Sequence, residues 1–112
     1  MNILDKTIAA CNAIKFPFEH VGINCVFLAN GQTFSPAFYT NDALKLLLHA
    51  QTLPTIQQID LSFLKDSISI FGFHNDNFYP EPIELAVIKL SDNPAQDVRD
   101  AVLNACIELG KL

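Results

Sequence analysis

Glycine is scarce in this chain of 112 residues, which has only four. Each one has a structural explanation: Gly22 begins a strand, Gly31 serves a turn, Gly72 interrupts a strand and Gly110 ends a helix. Glycines so far apart exclude a phosphate-binding loop or a dinucleotide fingerprint. Gly72 within a strand is typical of a bulge, and it also allows a close approach of the backbone to a ligand.

Histidine and cysteine are equally few, with three of each. None of His20, His49 and His74 has a second histidine or a cysteine within four residues, which is the spacing that local metal sites use. The cysteines are odd in number and lack CxxC spacing, which favours free thiols in a reducing cytosol over disulfides. The sequence therefore predicts no catalytic residue, no cofactor and no metal ligand. A metal site made from ligands distant in the sequence stays open.

Long hydrophobic runs are also absent. The first residues, 1–6, lack the basic start and apolar run of a secretory signal. The longest apolar runs, such as Ile83 to Leu90 with its two charges, are too short to span a bilayer. We expect one cytoplasmic domain over residues 1–112, because that length is ordinary for a single domain.

The charge of the chain is low and unevenly distributed. Charged residues make up 17% of the chain, below the roughly 25% of typical domains, so that apolar surface is left over for a partner. Residues 1–56 carry three acids and three bases, whereas residues 57–112 carry nine acids and four bases. The net charge of −5 thus belongs to the second half. Such a surface repels nucleic acid and speeds encounter with a basic partner protein.

The first half of the chain predicts a helix and a hairpin. Apolar residues recur at helical spacing over 2–15, and Phe16-Pro17 ends that helix. Asn30-Gly31 between two β-prone runs is typical of a two-residue type I′ turn. That turn pairs Phe27 with Phe34. The core face of the hairpin would then consist of Ile23, Cys25, Phe27, Phe34, Pro36 and Phe38.

The second half predicts two helices around three strands. A helix from Thr40 or Asn41 to about Gln51 has Leu44, Leu47 and Leu48 as its apolar stripe. Alternating runs at 58–63 and 67–73, followed by an apolar run at 83–90, predict a meander of three strands. The last helix is bounded by Asn93-Pro94 and Gly110, with its core stripe at Val98, Ala101, Val102, Ala105 and Leu109.

The resulting order is α-β-β-α-β-β-β-α, an α+β class. The simplest arrangement has two layers: a mostly antiparallel sheet of five strands, with the helices packed on one face.

The densest acidic stretch follows the second of the three strands. Its spacing is not that of a calcium-binding loop. The loop 74–82 adds two aromatic side chains stiffened by prolines, which suit an interface, although they can equally fold back over the core. A merely solvated acidic face is the alternative, and Asp97 also gains from the helix dipole. The candidate partner-binding residues are Asp76, Phe78, Tyr79, Glu81, Glu84, Asp97 and Asp100.

Two apolar residues of the last helix lie off its predicted core stripe. Leu103 and Ile107 project beside polar positions, where water is expected. They therefore predict a homodimer interface.

Two classes of function remain open. The favoured one is a non-enzymatic binding protein that docks a basic partner: a small acidic inhibitor, an immunity or antitoxin-like protein, or a secretion chaperone. The alternative is a small-molecule-binding domain or enzyme subunit, with an apolar pocket between sheet and helices.

Overall fold

The computed structural model describes residues 2–74 and 81–112, which form an α+β fold. Three helices and six strands are found in these ranges. In chain order they are α1 (Ile3–Ala13), β1 (His20–Val21), β2 (Val26–Phe27), β3 (Thr33–Phe34), α2 (Thr40–Ala50), β4 (Ile56–Phe63), β5 (Ser67–His74), β6 (Pro82–Lys89) and α3 (Pro94–Leu109).

The strands are divided between two three-stranded antiparallel sheets, β1-β2-β3 and β4-β5-β6. The second sheet confirms the predicted meander. The single five-stranded sheet is not formed by the described residues, and the short strand β1 was not predicted. The second difference arises in the segment that leads into the hairpin.

A tight turn breaks the segment that was expected to be one long strand. The Gly22 N–H donates to the Cys25 carbonyl at 2.9 Å, and Asn24 adopts a left-handed φ of 58°. The turn folds β1 back onto β2 and leaves Ile23 at its tip, 92% exposed. Ile23 is therefore not a core residue, contrary to expectation.

The hairpin between β2 and β3 is shifted by one residue from the predicted register. Gly31 has a φ of 83°, whereas Asn30 is not among the residues with positive φ, so the type I′ turn is not formed. The Leu28 N–H instead donates to the Gln32 carbonyl at 2.9 Å, which closes a loop of three residues. Val26 lies opposite Phe34, and both are buried. A shift of one residue turns the side chains of β2 to the other face relative to β3, so that Val26 lies in the core in place of the half-buried Phe27.

Helix α2 also buries a different face from the predicted one. Its fully buried residues are Ala43, Leu46 and Ala50, whereas Leu44 and Leu48 are exposed. Helix α2 packs against α3, and these alanines belong to the same buried cluster as the apolar residues of α3. The leucine stripe was thus a poor guide to the core of this helix.

Helix α3 is the centre of the molecule. Its predicted start is confirmed, since the Asn93 side chain accepts from the Gln96 N–H at 3.2 Å and Pro94 is the first residue of the helix. It packs against α1, α2, β5 and β6, so that nearly its whole circumference is covered. Leu103 is only 2% exposed for this reason, and the expectation that it faces water is wrong.

The second sheet has one face in the core and one face away from it. Ile68 and Ile70 of β5 are fully buried on the inner face, in the same cluster as the apolar residues of α3. Leu85 is an extra residue in β6, because Ala86 lies opposite Ile70 while Glu84 lies opposite the next residue of β5. A Cβ at Gly72 would come within 3.1 Å of the Leu85 side chain. Gly72 therefore makes room for this bulge.

Candidate functional site

The outer face of the second sheet carries an aromatic ring between two carboxylates. Antiparallel pairing sets Asp60 of β4 opposite Phe71 of β5, and Phe71 opposite Glu84 of β6. Directly opposite residues in such ladders have Cβ atoms about 4.5–5.5 Å apart. Asp60, Phe71 and Glu84 thus form one row across the three strands, which we term the acidic row.

The carboxylates of the acidic row are free of cations within the described ranges. Asp60 accepts a hydrogen bond from the Gln58 side chain on the same strand, and Glu84 is exposed with no side-chain hydrogen bond to a described residue. The one ion pair between described residues joins Lys111 and Glu108 at the end of α3, 2.8 Å apart. The negative charge of the row is therefore available to a cation from another molecule.

Arg99 of α3 is bonded to residues outside the acidic row and does not neutralise it. Arg99 donates to the Thr40 hydroxyl at 3.0 Å and to the Gln96 side-chain oxygen at 2.9 Å. The Gln96 side chain in turn donates to the Ala37 carbonyl at 3.2 Å. These bonds tie the start of α3 to the first residue of α2 and to the segment before it, so the charge of Arg99 serves the packing of helices.

The acidic residues predicted to bind a partner fall into separate places. Glu81 is exposed just before β6, and Glu84 belongs to the acidic row. Asp97 and Asp100 lie on the first turns of α3, away from this row in sequence and with partners of their own. Asp76, Phe78 and Tyr79 lie outside the described residues.

Asp97 is engaged inside the protein. It is 6% exposed, and its carboxylate accepts from the Ser91 backbone N–H at 2.7 Å and from the Ser91 hydroxyl at 2.9 Å. Asp100 is partly buried and accepts from the Gln96 side chain at 2.9 Å. The contact between Asp97 and Ser91 closes the link between β6 and α3, so we leave Asp97 out of the candidate site.

The histidines, cysteines and carboxylates of residues 2–74 and 81–112 do not gather into a metal site. No group of three or more histidines, cysteines, aspartates and glutamates in these ranges could hold a metal ion.

Burial raises the pKa of the Cys11 and Cys106 thiols to about 12, and for Cys106 the proximity of Cys11 adds to the effect. Such thiols stay protonated at neutral pH and are poor nucleophiles. None of the helices in these ranges has the length and apolar character needed to cross a membrane.

The two residues predicted to form a dimer interface differ in how deeply they are buried. Leu103 belongs to the core, so it offers no surface to a second copy. Ile107 is partly exposed and lines a groove between α3 and β6, with a volume of about 420 Å³. Asn104 and Glu108 of α3 and residues 84–87 of β6 complete this groove.

Sequence reasoning found Glu84 but missed Asp60 and Phe71. The signal was present, because a turn at Lys65-Asp66 between two alternating strands sets residue 60 opposite residue 71. The density of charge along the chain does not show this pairing, because it runs across the strands.

Comparison with protein-family models, with curated protein sequences and with solved structures gave no match to this chain.

Proposed function

We propose that this chain is a non-enzymatic protein-binding domain of the cytoplasm, which docks a basic partner protein on the outer face of its second sheet. A small acidic inhibitor, an immunity or antitoxin-like protein and a secretion chaperone are the kinds of protein that fit this role. The observation that carries the proposal is the acidic row, in which Phe71 lies between Asp60 and Glu84.

The row has the chemistry that recognises an arginine or lysine side chain. A guanidinium or ammonium group over an aromatic ring gains about 0.5–1 kcal/mol at an exposed site. Carboxylates on both sides would add charge-assisted hydrogen bonds, which are shorter and stronger than neutral ones. The net charge of −5 would steer a basic partner toward the protein from a distance.

The test is a titration of isotope-labelled protein with an arginine-rich peptide, followed by amide chemical shifts. We expect the largest shifts at Asp60, Phe71 and Glu84, and binding that weakens steeply with salt. Asp60→Asn and Glu84→Gln should each weaken binding about two- to fivefold, the size typical of exposed ion pairs. Phe71→Leu should have a similar effect through loss of the ring face.

Asp92→Asn is the matched control, because Asp92 is exposed, belongs to the same acidic half and lies outside the row. The proposal requires this variant to bind nearly as well as the wild type. Equal weakening by Asp92→Asn and Glu84→Gln would mean that only bulk charge attracts the peptide. Shifts spread over every exposed carboxylate would overturn the docking site.

A second candidate function rests on a cavity between the helices and the sheet. Its volume is about 360 Å³, within the range of small-ligand sites. Leu103 and Ile88 give it an apolar wall, and Lys6 and Asp100 place one charge of each sign in its lining. This site suits a small zwitterionic or anionic ligand with an apolar part, and such a ligand would stabilise the folded chain.

A further inference from the structure

Among the described residues, strand β6 forms one edge of the second sheet, and its outward backbone groups can be identified. The Leu90 N–H donates to the Asp66 carbonyl at 2.9 Å, which fixes the phase of hydrogen bonding between β5 and β6. Because bonding alternates along an antiparallel pair, Ala86 and Ile88 face β5. Val87 and Lys89 therefore direct their N–H and C=O groups outward. Beyond the bulge at Leu85, Glu84 does so as well.

The two edges of this sheet differ in how they are protected. On β4, the outward Ile59 N–H donates to the side chain of Gln51 at 3.3 Å, so that this edge is partly capped. On β6, the outward groups of Glu84, Val87 and Lys89 have no hydrogen-bond partner in the described part of the chain. A row of unpaired backbone groups of this kind is a template for another strand.

The side chains along this edge are complementary to the same edge of a second copy of the chain. Val87 is 49% exposed, and Glu84 and Lys89 are exposed on the same outer face. If Val87 lies opposite Val87 of a second copy, Lys89 is two ladder positions from it in one direction. Glu84 is two positions away in the other direction, because Leu85 and Ala86 share one position at the bulge. Each Lys89 then lies opposite a Glu84 of the other copy.

We propose that β6 pairs with β6 of a second copy of this chain, antiparallel and about a two-fold axis at Val87. The pairing joins two three-stranded sheets into one of six strands and buries the exposed Val87 side chains against each other. Two Glu84–Lys89 pairs form across the interface, as isologous symmetry requires. The groove beneath the edge, with Ile107 on its α3 side, receives the edge of the second copy. This proposal does not depend on the proposed function.

The test is the oligomeric state of the full chain, measured by sedimentation over a range of concentrations. We expect a dimer for the wild type and a rise of about tenfold or more in the dimer dissociation constant for Lys89→Glu, which sets two like charges against each other twice. The combination of Glu84→Lys with Lys89→Glu exchanges the charges and should restore the dimer. Lys65→Glu is the matched control, since Lys65 is exposed and outside β6.

Val87→Pro tests the backbone contribution separately. It removes the outward N–H while leaving the bonds to β5 in place, so the monomer should stay folded by circular dichroism. If that variant unfolds, the charge exchange still decides the question. A wild type that is monomeric at 100 times the concentration used for circular dichroism would overturn the proposal. A dimer that Lys89→Glu leaves intact, or that the charge exchange fails to restore, would also overturn it.

Discussion

Raising the pH from 8 to 10 should destabilise this protein through two buried thiols. Cys11 of α1 and Cys106 of α3 are fully buried, and burial raises the pKa of each from 9.0 to about 12. The protonated thiol is the neutral form, which the core favours. Above pH 9 the unfolded chain releases these protons, whereas the folded chain keeps them until about pH 12. The stabilisation is therefore complete below pH 9 and is lost as the pH rises through this window.

The size of the effect follows from the difference in proton binding. At pH 10, one unit above the unfolded pKa, each thiol should reduce the free energy of unfolding by about 1–2 kcal/mol. The two thiols together should contribute about 3 kcal/mol, a large part of the roughly 5–15 kcal/mol that stabilises a typical domain.

Urea unfolding at pH 8 and pH 10 measures this loss. The double variant Cys11→Ala with Cys106→Ala should lose about 3 kcal/mol less than the wild type over this interval, because every other titrating group is shared. Cys25→Ala should behave as the wild type, since Cys25 is only partly buried. Equal losses for the double variant and the wild type would refute the reasoning, because the thiols would then titrate alike in both states.

Two further predictions concern the hairpin and the cavity. Val26→Asp should cost more than about 3 kcal/mol of unfolding free energy by urea titration, because it buries an unpaired charge, whereas Ile23→Asp at the exposed turn should cost almost nothing. The reverse order would support the type I′ register. In a thermal-shift screen, an anionic ligand of the cavity should raise the melting temperature of the wild type and of Lys45→Glu but not of Lys6→Glu, since only Lys6 lines the cavity. Stabilisation that Lys6→Glu retains would place the ligand elsewhere.

The sequence predicted the elements that carry strong local signals. Helix α3 is bounded by Asn93-Pro94 and Gly110, and the structure places its ends there. The pairing of β4 with β5 follows from alternation and a short turn. In both cases the residues that decide the structure are close together in the chain.

The register of the hairpin and the buried face of helix α2 could not be predicted from such local signals. Asn30-Gly31 suits a two-residue turn, but the second turn at Gly22 to Cys25 fixes where β2 begins and so selects the three-residue loop. The buried face of α2 depends on its contact with α3, which a leucine count along the helix does not contain. Tertiary packing thus decides which face of α2 is buried.

The candidate site also combines features that local sequence predicts with features that it does not. Alternation puts Glu84 on a strand and is enough to place Asp60 opposite Phe71. The burial of Asp97 could not be foreseen, because it depends on the chain turning at Ser91 so that the hydroxyl and the N–H reach one carboxylate. Charge density along the sequence thus overstated the acidic surface on α3.

Glu84 belongs to both proposed surfaces, and this couples them. In the proposed dimer, Lys89 of the second copy lies opposite Glu84, so that one carboxylate of each acidic row is already neutralised. A basic partner that engages Glu84 would compete with that Lys89, and linkage requires dimerisation to weaken the partner in the same proportion. Asp60 on the far strand β4 stays outside the dimer contact. A basic segment bound to the dimer would therefore depend on Asp60 and Phe71 more than on Glu84, whereas one bound to the monomer would use all three residues of the row.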